Sequence, residues 1–359
     1  MNNEIKTDNF TISDSSPAYI IAEIGINHNG QYDLAKKLII ESARAGANAV
    51  KFQKRDANSI MIKEKINSNP IGYLSKNVDD ISTDQPDYGN WSYPDIRLEL
   101  TDDNYRNLQK VASEEGVDFF ASPWDEKSLD FLVDLNVPLL KIASVEIKNY
   151  QFLEKISNCD IPLILSTGTA DEKEVETAFE LLSKKSKDII LLQCTSAYPS
   201  KFSEIDLRVI DTFKKKYNCL VGFSGHEPGI NVGISAATLG AKVIEKHVTL
   251  NKKMNGTDHL ASIDMSELTN LVNGIREIEK ALGKNIKQKY KSEDVLVSIL
   301  GKSLATKKAL KAGSIIEKKD LIAKGPPIGI SSQNFYEVIG KKILKDKEAD
   351  EILMPEEIE

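Results

Sequence analysis

The sequence predicts an α/β protein: a (β/α)8 TIM barrel followed by a small, mainly β domain. Two observations predict the barrel. Short β-rich apolar runs alternate with segments of helical periodicity, and the chain contains eight such pairs. Eight parallel strands can close into a barrel, and near-continuous apolar runs fit strands covered on both faces. A change of composition after about residue 283 predicts the second domain.

The predicted strands cover residues 18–25, 48–54, 117–123, 138–144, 162–168, 188–195, 220–225 and 242–249. The predicted helices cover residues 31–46, 103–116, 125–135, 150–158, 172–186, 206–217, 229–239 and 266–282. Asp33 and Thr101 are start signals, and Gly46, Gly116 and Gly240 are stop signals. An open doubly wound sheet is the alternative, but "GINHNG" after the first strand does not match the GxGxxG phosphate turn of that fold.

Three segments follow from this pattern: a barrel domain over residues 1–283, a linker over 284–295 and the small β domain over 296–359. About sixty residues alone would be marginally stable, so we expect the second domain to pack on another surface. Residues 55–100 are too long for a βα loop. We interpret them as a lid or substrate loop because they leave the carboxyl end of a strand; a flexible excursion is the alternative.

Composition excludes several classes of protein. The net charge of −7 argues against non-specific nucleic-acid or anionic-lipid binding. No apolar run approaches the roughly 20 residues that span a bilayer, and "MNNEIKTDNF" lacks the apolar core of a signal peptide. The three cysteines, an odd number, indicate reduced thiols and a cytoplasmic location.

Polar residues collect where the predicted strands end, which is where catalytic residues of such barrels lie. They are Glu23, Asn27, His28, Lys51, Gln53, Ser122, Lys141, Ser144, Glu146, Ser166, Thr167, Thr195, Ser196, Tyr198, Ser224, His226, Glu245, Lys246 and His247. A buried lysine or glutamate is costly unless it is paired or functional. Charged residues on so many strands, all expected to face one mouth, therefore predict an active site.

The chemistry of these residues indicates a metal and an anion. His226 and His247 end adjacent predicted strands, so their rings should lie close together and could hold a divalent metal with open positions; hydrogen-bonded core histidines are the alternative. The lysines and serines form a ring of donors suited to a carboxylate and a phosphate. Together they favour a small, doubly anionic substrate.

Seven motifs, in this order, resemble the sialic acid synthases: "IIAEIGINHNG", "VKFQK", "LLKIAS-E", "LQCTSAYP", "GFSGHE-G", "EKHVTL" and "GTDHLAS". The resemblance covers essentially the whole chain, and the C-terminal part resembles the family's antifreeze-like (SAF, β-clip) domain. It implies an enzyme that joins phosphoenolpyruvate to the open-chain aldehyde of an N-acetylmannosamine-type sugar. The product is a nine-carbon 2-keto acid, and phosphate leaves by C–O cleavage.

The resemblance also implies residue roles. Glu23 resembles the essential glutamate, which positions or deprotonates water or stabilises positive charge at C2. The implied Mn²⁺ or Mg²⁺ ligands are His226 and His247. The implied phosphoenolpyruvate-binding residues are Lys51, Ser122, Lys141, Ser144, Ser196 and Ser224. The implied sugar-binding residues are Gln53, Glu146, Tyr198 and Asp258. We expect His28 to support the site or contact substrate.

Two positions depart from the family pattern. Ser196 stands where members often have Asn, and Gly325 stands where bacterial members usually carry the arginine that holds the sugar's N-acyl group. The acceptor therefore stays open between N-acetylmannosamine, its 6-phosphate and the diacetamido precursors of legionaminic or pseudaminic acid. The resemblance further implies a domain-swapped homodimer.

Two other readings of the residues remain. A metal-dependent or Schiff-base aldolase of the same fold, acting on a pyruvate-type donor, could use Lys141. A non-catalytic carbohydrate- or ice-binding protein is suggested only by the C-terminal domain, and Glu23 with the two histidines argues against it.

Overall fold

The structure is a computed structural model, and it describes residues 4–60, 62, 98–254 and 256–359. The chain forms two compact units, Met1–Gly283 and Lys284–Glu359. Most of the predicted lid, residue 61 and residues 63–97, lies outside the described residues. Within the described part of the chain, no helix is both long and apolar enough to cross a membrane.

Eight parallel strands of the first unit close a barrel, which confirms the predicted fold class. They are β3 (Tyr19–Gly25), β4 (Ala49–Lys54), β5 (Asp118–Pro123), β6 (Leu140–Ile142), β7 (Leu163–Ser166), β8 (Ile189–Cys194), β9 (Leu220–Gly225) and β10 (Val243–Thr249), after a hairpin of β1 (Glu4–Lys6) and β2 (Thr11–Ser13). Each barrel strand pairs with the next, and β10 also pairs with β3, which closes the ring. The short β11 (Ile263–Asp264) extends along β10.

The strands are covered on both faces, as their apolar runs predict. All seven residues of β3 are buried, and so are all seven of β10. Two strands are shorter than expected for a local reason. After β6 the chain enters a 3-10 turn over Ser144–Glu146, and after β7 it turns at Gly168 and Thr169, the latter with φ of 62°.

Helices cover the outside of the barrel. They are α1 (Tyr32–Arg44), α2 (Ala57–Ile60), α3 (Asp102–Glu114), α4 (Glu126–Asp134), α5 (Tyr150–Ile156), α6 (Glu172–Ser183), α7 (Val209–Tyr217), α8 (Asn231–Thr238) and α9 (Met265–Leu282). Thr101 caps α3 by accepting from the Asn104 amide, as its position predicts. The other start signal was misplaced: α1 begins after Gln31, so Asp33 lies in the first turn. Gly46 follows α1 with φ of 93°, a conformation that favours glycine.

The N-terminal hairpin lies over the amino end of the barrel, and the sequence pattern did not reveal it. Ile5 and Ile12 belong to the barrel's apolar core. Asp118, the first residue of β5, accepts from Asn9 Nδ2 at 2.9 Å and from the Tyr19 hydroxyl at 2.6 Å. The hairpin therefore covers the end opposite the predicted catalytic mouth.

The second unit has its own small core and antiparallel sheet. It contains α10 (Asp294–Leu300), β12 (Ser303–Thr306), β13 (Leu321–Lys324) and α11 (Phe335–Val338). Its buried apolar residues are Leu304, Leu310, Ile316, Leu321, Ile330, Val338, Ile343 and Leu353. Part of the expected linker is helical, because a 3-10 turn over Lys291–Glu293 leads directly into α10.

Candidate active site

A cavity at the carboxyl ends of the barrel strands gathers most of the residues that the sequence singles out. Its walls include Glu23, Lys51, Gln53, Ser122, Lys141, Ser144, Ser196, Tyr198, Ser224, His226, His247 and Asp258. The remaining wall residues include Ile26, Arg55, Leu98, Trp124, Val145, Ser166, Cys194 and Glu245. The resemblance assigns a catalytic, metal-binding, donor-binding or sugar-binding role to thirteen residues. Twelve of them line this cavity, and Glu146 is the exception.

Four charged side chains form a buried cluster at the base of this cavity. Glu23 Oε2 lies 2.7 Å from Lys51 Nζ. Glu245 Oε1 lies 2.9 Å from Lys141 Nζ and 3.7 Å from Lys51 Nζ. All four side chains are at most 4% exposed. Because each charge has an opposite charge beside it, the cluster is formally neutral, which makes its burial tolerable.

The two carboxyl groups of this cluster differ in pKa. Burial raises the pKa of Glu23 to about 7, even though the Lys51 ammonium favours the ionised form. Burial also opposes ionisation of Glu245, but Lys141 and Lys51 outweigh it and lower the pKa of Glu245 to about 2. Two carboxyl groups with separated pKa values can take different roles, one fixed as an anion and the other exchanging a proton near neutral pH.

His226 and His247 face each other with ring centroids 5.3 Å apart, and the Tyr198 ring lies against both. The Nδ1–H of His226 donates to the Thr195 carbonyl at 2.8 Å, which directs Nε2 away from that carbonyl. Burial opposes protonation of His226, but Cys194 and the Thr195 carbonyl outweigh it and raise the pKa of this imidazole. Nδ1 of His247 is buried without a hydrogen bond in the described structure, and Asp258 Oδ2 lies 3.5 Å from it. Burial lowers the pKa of His247 well below its usual value, so this imidazole is neutral.

These residues fit a divalent metal ion. The two facing imidazoles would supply two nitrogen donors, and such a pair leaves positions for water and substrate oxygens. Over residues 4–60, 62, 98–254 and 256–359, no group of three or more His, Cys, Asp or Glu side chains has the arrangement of a metal cluster.

Hydroxyl groups surround the lysines, as the sequence predicts for an anion site. Ser122 Oγ lies 3.4 Å from Lys51 Nζ, and Ser224 donates to Glu245 Oε1 at 3.0 Å. The Gly168 amide donates to Ser144 Oγ at 3.1 Å. A Cβ atom at Gly168 would lie 2.2 Å from Ser196 Oγ, so only glycine fits against this wall.

The four residues that the resemblance implies for sugar binding lie in two different pockets. Gln53 donates to Glu23 Oε1 at 3.1 Å, and Tyr198 and Asp258 also line the cavity. Glu146 instead lines a separate outer pocket and accepts from Asn149 at 2.8 Å. It ends the 3-10 turn that follows β6. Its assignment as a sugar-binding residue stays a prediction.

Two further expectations need correction. Lys246 does not face the mouth, because side chains alternate along a strand: Glu245 and His247 point into the cavity, while Lys246 pairs with Glu227 on the other side. His28 does not line the cavity; its Nδ1 accepts from the Gly30 amide at 3.1 Å, and burial lowers the pKa of His28 to about 3.

Sequence reasoning assigned no role to Glu245, although it noted this residue on the eighth strand. A two-residue alternation that places His247 inward also places Glu245 inward, so the signal was present. The positions of Arg55 and Trp124 in the cavity could not be predicted in this way. Each residue follows its strand in irregular backbone, where side chains do not alternate between two faces. Cys194 ends β8 in the cavity, with Sγ 3.5 Å from Ser144 Oγ.

A closed parallel barrel with paired charges and two histidines at its carboxyl ends defines a barrel enzyme, and comparison with known proteins identifies its family. Residues 38–287 match the NeuB family, and residues 301–359 match the SAF domain. This chain belongs to the NeuB family and ends in a SAF domain, which confirms the resemblance seen in the motifs.

Relatives with assigned names include human N-acetylneuraminate-9-phosphate synthase, 36% identical over 95% of this chain and 92% of that protein. N,N'-diacetyllegionaminic acid synthase of Campylobacter jejuni is 39% identical over 93% of this chain and 98% of that protein. A crystal structure of N-acetylneuraminic acid synthetase from Leptospira borgpetersenii, in complex with citrate, superposes with a TM-score of 0.70. It is 33% identical and covers 83% of this chain and 96% of its own.

Proposed function

We propose that this enzyme condenses phosphoenolpyruvate with the open-chain aldehyde of an N-acylated amino sugar to give a nonulosonic acid and phosphate. The observation that carries the proposal is the single cavity in which Glu23 and its paired lysines lie beside His226 and His247. Three relatives support the same reaction by their names: an N-acetylneuraminate-9-phosphate synthase, an N,N'-diacetyllegionaminic acid synthase and a pseudaminic acid synthase.

The donor fits the lysine and serine part of the cavity. Its phosphate and carboxylate would accept hydrogen bonds from Lys51, Lys141 and the hydroxyls of Ser122, Ser144, Ser196 and Ser224. The lysines already carry partner carboxylates, so the donor's anionic groups would share the ammonium groups with Glu23 and Glu245. The cluster is neutral before the donor binds, so shared hydrogen bonds would orient the donor while the divalent ion would compensate part of its negative charge.

The reaction forms a C–C bond and a C–O bond while the π bonds of the donor and the aldehyde are used. C3 of the donor bonds to the aldehyde carbon, whose oxygen takes up a proton, and a water oxygen adds to C2 and loses a proton. The C2–O bond to phosphate then breaks, and the water-derived hydroxyl on C2 loses its second proton to become the keto group. Glu23 would accept the proton of that water or stabilise positive charge that develops at C2. His226 and His247 would hold a divalent ion, Mn²⁺ or Mg²⁺, and when bound it would supply Lewis-acid polarisation of the aldehyde oxygen.

The acceptor end of the cavity favours a sugar without a phosphate. Arg55 lines this wall together with Leu98 and Trp124, and its Nε donates to Glu99 Oε1 at 2.7 Å. A sugar phosphate at this wall would have to share Arg55 with the Glu99 carboxyl group. The apolar side chains beside Arg55 suit the methyl group of an acetamido substituent.

A screen of acceptors tests the function. With Mn²⁺ and phosphoenolpyruvate, we expect phosphate release and a nonulosonic acid mass with N-acetylmannosamine or a diacetamido sugar, at a kcat/KM at least about tenfold above that for N-acetylmannosamine 6-phosphate. Preference for the 6-phosphate would contradict the acceptor assignment. Absence of phosphate release with every acceptor, together with borohydride trapping of pyruvate on Lys141, would overturn the condensation in favour of a Schiff-base aldolase.

We also infer a domain-swapped homodimer. Within the described residues, α10 carries an exposed apolar row: Val295, Leu296, Ile299 and Leu300 are each at least 60% exposed. Contiguous apolar surface of this kind is typical of interfaces. The occupant we infer is the second copy of the chain, as in the arrangement that the family resemblance implies.

Static light scattering at micromolar concentration tests the dimer. We expect twice the chain mass for the wild type, and a monomer for Leu296→Asp/Ile299→Asp, because buried aspartates would disfavour the interface. Ser298→Asp adds one negative charge to the same helix outside the apolar row and serves as the control, which we expect to remain dimeric. A fully active wild-type monomer would refute the dimer.

A further inference from the structure

A buried ion pair lies directly behind the two histidines. Lys246 precedes His247 on β10, and Glu227 follows His226 at the end of β9. Lys246 Nζ lies 2.9 Å from Glu227 Oε1 and donates to the Glu227 backbone carbonyl at 2.6 Å. The two side chains are 0% and 1% exposed, so neither charge is solvated. The lysine therefore holds both the side chain and the backbone of residue 227.

The local backbone is shaped around this pair. Lys246 lies opposite Gly225 in the register of β10 and β9. A Cβ atom at Gly225 would lie 2.6 Å from Glu227 Oε2, so glycine provides the space that the carboxylate occupies. The pair thus joins the segment that carries His226 to the strand that carries His247, on the side of the sheet away from the cavity.

His247 depends on its backbone for orientation. In the described structure its Nδ1 forms no hydrogen bond, whereas Nδ1 of His226 is fixed by the Thr195 carbonyl. A metal-binding histidine normally has an orienting partner on its second ring nitrogen. The nearest candidate for His247, Asp258 Oδ2, lies 3.5 Å from Nδ1, so the position of β10 and the packing of the Tyr198 ring also set the position of the His247 ring.

We propose that Lys246 and Glu227 are positioning residues that set the separation of the His226 and His247 imidazoles, and thereby the affinity for the divalent ion. The inference rests on the metal assignment made in the proposed function. A buried ion pair is weak evidence for stability, because apolar residues of similar volume often stabilise a fold equally well. The better-attested use of such a pair is to fix the alignment of two segments relative to each other.

The test is the dissociation constant of Mn²⁺, measured on the full chain without donor or acceptor from the electron paramagnetic resonance signal of free Mn²⁺. Lys246→Met/Glu227→Gln removes the pair without leaving a lone charge. We expect this variant to bind Mn²⁺ about 10- to 100-fold more weakly, the usual effect of losing an outer partner. Glu227→Gln alone keeps the lysine contact with the carbonyl, and we expect a severalfold loss.

A matched control exists in the second unit. Lys347 Nζ lies 2.7 Å from Glu357 Oε2, and these side chains are 8% and 9% exposed. Lys347→Met/Glu357→Gln changes the same residue types in the unit that does not carry the histidines, and we expect its Mn²⁺ dissociation constant to stay within twofold of wild type. A general effect of removing a buried pair would appear in both variants and would overturn the inference.

Unchanged Mn²⁺ affinity in folded Lys246→Met/Glu227→Gln would show a purely structural role and overturn the proposal, whatever its thermal stability. If that variant does not fold, Glu227→Gln decides, and a dissociation constant within twofold of wild type overturns the proposal. A wild-type chain that does not bind Mn²⁺ overturns it as well. Because no substrate is present, failure of the acceptor screen leaves this measurement interpretable.

Discussion

Replacing Glu23 with glutamine is expected to lower the rate of phosphate release at least about 1,000-fold, within the range of proton-transfer effects. Glutamine has nearly the same shape, but it cannot accept a proton or carry the negative charge beside Lys51 Nζ, which lies 2.7 Å away. Steady-state phosphate release measures the loss, and circular dichroism checks that the barrel is intact. In the wild type, kcat/KM should fall as pH decreases through about 7, because the pKa of Glu23 is about 7 and the protonated form cannot act as the base.

Glu146→Gln is the matched control for this variant. Glu146 was a candidate on sequence grounds, but it lines a separate pocket and contacts Asn149. We expect its activity to stay within threefold of wild type. Activity of Glu23→Gln within threefold of wild type would falsify the catalytic assignment, and a comparable loss in Glu146→Gln would show that Glu146 takes part in sugar binding, as the family resemblance implies.

Replacing His247 with alanine is expected to abolish Mn²⁺ binding and to lower phosphate release at least about 1,000-fold. The variant leaves one imidazole of the facing pair, His226, and removal of a ligand from so sparse a set takes away most of the affinity. Titration calorimetry with Mn²⁺ measures the binding loss. In the wild type, a chelator should remove activity and added Mn²⁺ should restore it.

His28→Asn is the control for the second prediction. His28 is also buried, but it does not line the cavity, and asparagine keeps an acceptor for the Gly30 amide. We expect Mn²⁺ affinity and phosphate release within threefold of wild type. Retention of Mn²⁺ binding by His247→Ala would place the metal elsewhere.

Much of the fold could be predicted because its physical signals are local. A strand covered on both faces is mostly apolar, so β3 and β10 are recognisable in the sequence as apolar runs. Glu23, the polar residue that interrupts the run of β3, lines the cavity. The N-terminal hairpin escaped notice because its strands have three residues each, too few for a periodicity. Its role depends on Asn9 and Asp118, which are 109 residues apart in the chain.

The errors at the site have equally specific causes. Glu146 follows a strand end in sequence, but a 3-10 turn does not continue the direction of the strand. Lys246 lies between two inward residues, and the alternation of the strand turns it outward to Glu227. The contact between Glu245 and Lys141 joins residues 104 positions apart, and only closure of the barrel brings them together.

The neutral cluster of Glu23, Lys51, Lys141 and Glu245 has a consequence for turnover. A phosphate ion that remains in the cavity must compete for the ammonium groups with carboxylates that are part of the protein. Those carboxylates lie 2.7 and 2.9 Å from the lysines and act at a very high effective concentration, so they favour departure of the product. We therefore expect weak product inhibition by phosphate, with the built-in carboxylates clearing the site for the next catalytic cycle.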